Sequence, residues 1–417
     1  MNRFLQDFKG LGSTRKVLLI LCTAFIAVFF ITNIYLNWIY NDRGYHNQHF
    51  SELASSMLQG RLYLPDASGH TVDTVLMHGH NYWPLGPFPA VLILPYVAIA
   101  EHTTPNVDQA IPQIILVTAT FILIFLIARK INYSRISSLY FALAFGAGSM
   151  YLPIAFEPSS WYFSHVVATV ALLLALFEYY HKKRYWLIGI FLGFSFLTRV
   201  PAGVGVVFFA LELFSNKQLT WRQKFVFISE LGLPLIAALL LQCIYNALRF
   251  GNFLESGYGI SLLTDPTITA NRAYGLFGLI HIPGNLFYML FQVPIPVFAD
   301  QVSRVLWFPY IQADLFGMGI FFTSWYLLAL FTFSYKDQTS KNLLITIAVI
   351  TLPIIIYYGI GANQIGYRYG LDFFPFLFLL FMREYRKNHE HLSGRMIVAI
   401  LASCIFNYYI YYATYYF

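Results

Sequence analysis

Apolar runs of crossing length, on the order of 17–25 residues, recur along the chain between short polar connections. They fall at approximately 17–40, 110–128, 136–153, 162–180, 185–198, 200–215, 225–247, 315–335, 342–360, 370–385 and 395–416. The runs at 185–198 and 200–215 are short and nearly abut, which predicts a tight hairpin or a partly inserted pair. Two further apolar stretches are broken by proline: 85–100 carries Pro87, Pro89 and Pro95, and 276–299 carries Pro283, Pro294 and Pro296. Proline removes a backbone donor and interrupts a helix, so both stretches are expected as interfacial or re-entrant segments. The resulting expectation is an all-α polytopic membrane protein of about 11 transmembrane helices, forming a single integral unit over residues 1–417. Its two long loops span 41–109 and 248–314. The first run is too long for the apolar core of a signal peptide and no small-residue cleavage site follows it, so it is expected to be a retained span.

Charge orients this pattern. With the N-terminus inside and the runs alternating, all ten lysines face the cytoplasm. The inner connections collect 19 basic and 7 acidic residues; the outer ones keep 7 arginines and 12 acids. An excess of Lys and Arg on the cytoplasmic side is the ordinary rule for membrane proteins. Counting either proline-broken stretch alone as a crossing would move later basic clusters outside. The outer face is therefore built from 41–109, 154–165, the turn at Arg199, 248–314 and 361–369, and the working face of a cytoplasmic-membrane protein is expected there.

Composition narrows the class. The chain is 58% hydrophobic and 11% charged, with a mean hydropathy of +0.60, so a bilayer is its solvent. The pI near 9.1 comes from inner loops facing anionic lipid and gives no reason to expect nucleic acid. Cys22, Cys243 and Cys404 all sit in apolar runs far apart, which argues against a disulfide framework or a cysteine-based metal site.

Polar chemistry concentrates outside. In the first loop, Phe50–Leu58 has helical spacing and predicts an amphipathic helix lying on the membrane, with His46, His49 and Glu52 near its start. The rigid Pro-Leu-Gly-Pro-Phe-Pro run after it can position the preceding His-Gly-His-Asn-Tyr-Trp turn. His78-x-His80 has a spacing able to hold a divalent metal ion; scattered loop histidines are also simply polar. Glu157 and His165 flank Trp161, a ring suited to stacking on sugar. Arg199, Arg249 and Arg368 lie at the outer ends of apolar runs, where a cation must snorkel or pair. Their guanidinium forks match phosphate oxygens, so together they can form a phosphate cradle. Arg368 and Asp372 can instead pair at i,i+4, and Tyr367 and Tyr369 beside them can stack on a sugar ring.

Several stretches, taken in order, resemble the GT-C membrane glycosyltransferases. After the first span comes an amphipathic helix ending in Met-Leu-x-Gly-Arg-Leu-Tyr-Leu, then Gly-x-x-Tyr (ending at Tyr82) and a Pro-x-x-Pro-x-Pro run. SSWYFSHVVATVALLLALFEYY, WLIGIFLGFSFLTRVPAG, YNALRFGNFLESGYG and GYRYGLDFFPFLFLL follow. The bacterial relatives of protein O-mannosyltransferases and of lipid A aminoarabinose transferases are the most similar. The resemblance implies a polyprenyl-phosphate sugar as donor, an envelope glycan, lipid or protein as acceptor, and inversion at the anomeric carbon. It further implies a first-loop carboxylate as base and cationic groups holding the departing phosphate. The acid usual in that family near His46–Asn47 is absent here, and its acid-basic pair before the proline run is replaced by Pro84–Leu85. Asp42 is then the first candidate base, followed by Asp73 and Glu52, with His46 as a fourth. Arg199, Arg249, Arg368, Tyr367, Glu157, Trp161, His165 and Tyr82 are the substrate-binding candidates. A flippase or transporter for a lipid-linked glycan and a non-catalytic assembly subunit are the alternatives. No ATP-binding loop is present, which disfavours ATP-driven transport.

Overall fold

The computed structural model describes residues 12–42, 47–65, 72–103, 107–263, 265–300 and 302–417. Six of its helices are long and apolar enough to cross a membrane by length and composition: Ser13–Ile39, Ala110–Lys130, Ser160–His181, Trp221–Phe250, Gln338–Ile355 and Gly394–Tyr415. The rest of the expected runs are shorter or broken. The helix Tyr185–Phe196 has 12 residues, and 200–215 divides into Val200–Gly203 and Val206–Ser215. The expected span at 136–153 is two pieces, Arg135–Gly146 and Tyr151–Phe156. That at 315–335 is a single turn, Ile320–Thr323, and a 3-10 segment, Trp325–Thr332.

These breaks are sheltered by protein, which is the condition for irregular backbone at membrane depth. Residues 137–156 are buried almost without exception, and amide side chains satisfy the carbonyls the breaks release. Asn407 donates Nδ2 to the carbonyls of Thr323 at 2.8 Å, Ala147 at 3.2 Å and Ser149 at 3.4 Å. Gln113 donates to Ile154 at 3.0 Å and Glu157 at 2.6 Å, and Asn33 to Ala155 at 2.5 Å. Helix C-termini leave carbonyls unpaired. Asparagine and glutamine inside otherwise apolar helices are here the groups that close them.

The first loop departs from expectation in an informative way. The amphipathic helix is present as His49–Leu58, but its apolar face meets protein. Phe50, Leu53 and Ala54 are fully buried in a second core with Trp83, Ile93 and Phe163. The cover is the helix Phe88–Ala100. At 13 residues that helix is about 20 Å long, short of the roughly 30 Å hydrocarbon core. Residues 279–291, also expected as non-crossing, are a chain of 3-10, α and π turns. Two small antiparallel hairpins interrupt the helical pattern: Val75–Met77 with His80–Tyr82, and Ile295–Phe298 with Leu306–Gln312.

Segments that the lysine pattern puts on one side also meet in space. Asn47 and Gln48 of the first loop receive hydrogen bonds from Ser160 and Gln109. The first and long loops exchange backbone bonds, Asp73 N to Leu262 O at 2.8 Å and Leu262 N to Thr74 O at 2.7 Å. Toward the other end, Lys130 Nζ lies 2.9 Å from His181 Nδ1. There Glu212 accepts from Tyr179, Thr339 and Asn342, and Asp337 pairs with Arg383 and Lys387.

Gly86, in the proline run, marks where the first loop docks. A Cβ built there would lie 1.9 Å from the Leu197 carbonyl oxygen, two residues before Arg199, and Phe88 N donates to that same oxygen at 3.3 Å. Gly86→Ala is expected to cost about 1–3 kcal/mol by overpacking, read as a lowered Tm in detergent. An unchanged Tm would mean that the loop does not dock there.

Candidate functional site

Four connecting segments deliver polar side chains to one place. Asp73 precedes the first hairpin with φ 57, a left-handed conformation that Asp tolerates better than most residues, and its backbone is pinned by Leu262. Trp161 and His165 stand four residues apart on the first turns of Ser160–His181, hence on one face. Arg199 is the extended residue (φ −147, ψ 110) that caps Val200–Gly203. Arg368, Tyr369 and Asp372 share the 3-10 segment Arg368–Asp372.

The firmest contact is a two-point ion pair. Arg199 Nε donates to Asp372 Oδ1 at 2.6 Å and Nη2 donates to Oδ2 at 3.0 Å; Asp372 is 1% exposed. His165 Nδ1 lies 4.0 Å from the same carboxylate. The i,i+4 partnership of Arg368 with Asp372 anticipated from spacing is thereby corrected, because a 3-10 segment places residues three apart on one side and Asp372 turns to Arg199 instead.

Arg368 is left differently disposed. Its Nη1 donates to Ala362 O at 2.8 Å, and its buried Nε has no hydrogen-bond partner among the described residues. The guanidinium lies between two rings, 5.6 Å from Tyr162 and 5.4 Å from Tyr369. Arg199 sits 5.5 Å from the same Tyr369 ring. Asp73 faces Arg368 and Arg272 electrostatically, with the Trp161 side chain beside it. Burial nonetheless raises its carboxyl above the ordinary 3.8, outweighing the pull of the two arginines. Tyr258 completes the wall, in electrostatic contact with Arg199, Tyr369 and Asp372.

The structure thus brings Asp73, Trp161, His165, Arg199 and Arg368 together. Other candidates lie elsewhere. Arg249 is 2% exposed, with Nη1 on Trp83 O at 2.6 Å, Nη2 on Asn246 Oδ1 at 2.9 Å and its plane 3.8 Å from the Tyr245 ring. It clamps the first loop onto the helix Trp221–Phe250, and Tyr258 lies between it and Arg199. Tyr367 is fully buried and donates its hydroxyl to Asn285 Oδ1 at 2.8 Å, whereas Tyr369 is half-buried. Tyr82 packs against Phe250 and Tyr63. Glu157 is near Tyr162 and Tyr415.

His78-Gly79 forms the two-residue hairpin turn, both residues with positive φ (51 and 81), the geometry that hairpin twist favours. His80 stacks on Tyr63 at 3.9 Å. Among the described residues no group of three or more His, Cys, Asp or Glu is arranged to hold a metal ion. Asp42 is the last residue of the first helix, its side chain outside the described residues; His46 lies outside them altogether. Tyr258, Arg272 and Tyr162 were not singled out from sequence. Tyr258 does occur in the ESGYG stretch of the resemblance, which was its available signal.

Glu52, half-buried on His49–Leu58, has its carboxyl pushed up to about 7 by burial. For an acid whose folded-state pKa is raised, protonation favours folding. Stability therefore falls as pH climbs from the ordinary 4.5 to about 7 and is level beyond. Glu52→Gln is expected to raise stability at pH 8 by on the order of 2–3 kcal/mol and to change little at pH 4. Thermal unfolding at the two pH values checks this; equal gains at both would refute it.

No family model and no curated protein sequence matches the chain. Among solved structures it is similar to the crystal structure of the Archaeoglobus fulgidus oligosaccharyltransferase in the apo form. The TM-score is 0.45 and the identity 13%, over 94% of this chain and 55% of that one. The chain therefore spans about half the length of that protein.

Proposed function

We propose that this protein is a multi-pass glycosyltransferase of the cytoplasmic membrane. It takes a sugar from a polyprenyl-phosphate carrier and passes it, with inversion, to an envelope acceptor at the outer face. The observation that supports this reading is the approach of Asp73 to Arg368, almost 300 positions apart in sequence, with Arg199 on the Tyr369 ring that Arg368 also meets. Orientation rests on the lysine distribution.

The arrangement suits the chemistry. Asp73 takes the proton of the acceptor hydroxyl, whose oxygen bonds to the anomeric carbon from the face opposite the phosphate. The bond from anomeric carbon to phosphate oxygen breaks, and polyprenyl phosphate leaves with the electron pair. Negative charge grows on that leaving oxygen, which is where a guanidinium helps most. Arg368, carrying spare donors and no bonded carboxylate, serves this role; Arg199, already held by Asp372, keeps its remaining donors in a fixed direction. Tyr369 and Trp161 offer ring faces to the sugar. A carboxylate whose affinity for a proton is raised by burial is a stronger base than one in water.

The test is reconstitution into liposomes with a radiolabelled polyprenyl-phosphate sugar and an envelope extract as acceptor source. Label should move into the acceptor and polyprenyl phosphate should be released in equal amount. Redistribution of labelled lipid between leaflets without release would instead establish a flippase, and neither event would leave the non-catalytic subunit.

A further inference from the structure

At the end of the helical bundle opposite the candidate site lies a cavity of about 210 Å³. Its polar lining comes from three segments: Arg15 near the start of the first helix, Ser134, Ser137 and Tyr140 of the helix Arg135–Gly146, and His391 before the last helix. The separation follows from helix length. Gly394–Tyr415 begins beside the cavity and ends where Tyr415 donates to Asn363 O, in the 361–369 turn; its 22 residues span about 33 Å.

Several features there favour an anion. Two helices of 12 and 22 residues start at the cavity, with Ser134 and Ser393 as their N-caps, and helix N-termini present positive partial charge and free amides. Arg15 is exposed at the mouth, as is His391, so both can reach a group entering from the headgroup layer. Ser134 Oγ donates to Ser137 Oγ at 3.1 Å, which leaves the Ser137 hydroxyl proton for another acceptor. Independent of the helix ends, Tyr140 is 1% exposed, lines the cavity, and its hydroxyl has no hydrogen-bond partner among the described residues. A buried hydroxyl in a native protein ordinarily has one.

The shape identifies the class of ligand. Polar groups sit at the mouth, Ile136 and Ile397 form apolar wall, and Tyr140 lies one turn deeper, toward Cys22 of the first helix. We infer that this cavity binds an anionic phospholipid at the membrane surface. Its phosphate rests on Arg15, His391 and the two helix starts, and the ester region is within reach of the Tyr140 and Ser137 hydroxyls. Glu390, exposed next to His391, is not part of the lining, so no carboxylate opposes the phosphate there. The site is separate from the proposed transfer chemistry and does not depend on it.

The experiment is native mass spectrometry of the full chain, delipidated in detergent and titrated with phosphatidylglycerol or phosphatidylcholine. The wild type should retain phosphatidylglycerol preferentially. The double variant Arg15→Ala/His391→Ala, two exposed positions, should lose at least about fivefold, the worth of one arginine near an anionic headgroup. Tyr140→Phe, which deletes only the hydroxyl, should lower retention of both lipids by about two- to threefold if that hydroxyl meets an ester or phosphate oxygen. Equal retention of the two lipids by the wild type, or a preference unchanged in the double variant, overturns the inference. Displacement of bound lipid by millimolar inorganic phosphate would assign the cavity to free phosphate and overturn the lipid assignment.

Discussion

Asp73→Asn is expected to lower the rate of sugar transfer by roughly 10²–10⁴-fold, the range that a positioned proton acceptor contributes, with little change in the KM for the lipid-linked donor. Asparagine is the right replacement for three reasons. It keeps the size of the side chain and one acceptor oxygen, it tolerates the left-handed backbone recorded at φ 57, and it removes a charge that burial disfavours. The variant should therefore unfold at the same temperature as the parent or slightly above it, so lost activity is not lost fold. The wild-type pH profile supplies a second reading. Because burial raises the Asp73 carboxyl above its usual 3.8, the acid limb of kcat should fall at a pH above the ordinary carboxylate range, and the limb should vanish with the variant's residual rate. Arg368→Ala is expected to fail differently, weakening donor binding along with turnover, since a guanidinium that contacts phosphate acts in both the bound and the transition state. Full turnover by Asp73→Asn would transfer the role of base to Asp42, Glu52 or His46.

That ordering of candidates shows where reading a sequence succeeds here and where it stops. The clustering is legible because charge partitioning is a one-dimensional signal: the connections that carry the lysines separate from those that carry most of the remaining ionisable groups. It could say that Asp73, Trp161, His165, Arg199 and Arg368 share a face. It could not say which of them touch. Asp42 ranks first by closeness to the His46–Asn47 position where the resemblance expects an acid. What selects Asp73 for the cluster is a backbone exchange with Leu262, almost 190 positions away, that leaves no local trace. Arg249 and Arg199 looked alike, each ending an apolar run; only packing shows that one spends its donors on Trp83 and Asn246. The same holds for the bundle. Helices with unbroken apolar sequence were placed well, whereas 136–153 and 315–335 were read as single spans. Their breaks are stabilised by Asn407, Gln113 and Asn33, side chains on other helices whose meaning appears only in three dimensions. Likewise the apolar face of His49–Leu58 had two indistinguishable covers, lipid or protein, until the helix Phe88–Ala100 was seen lying on it.

The Arg199–Asp372 pair carries the second large effect. Asp372 is 1% exposed and its two oxygens are held by one guanidinium. Arg199→Ala leaves that carboxylate buried beside His165 with no cation bonded to it, a defect that costs about 3–5 kcal/mol. The single variant should therefore express poorly and unfold well below the parent. Removing both charges is different, because a buried pair replaced by apolar groups of similar volume is often neutral. Arg199→Met/Asp372→Leu should recover most of the lost Tm, a non-additivity expected of contacting residues. Activity separates the two roles of the pair. If Arg199 directs its free donors toward the donor phosphate beside Tyr369, the double variant stays folded and remains impaired in transfer by at least about tenfold, the worth of one charge-assisted hydrogen bond. Recovery of both Tm and turnover would mean that the pair only fastens the Arg368–Asp372 segment to the turn at Arg199, and that Arg368 alone meets the phosphate.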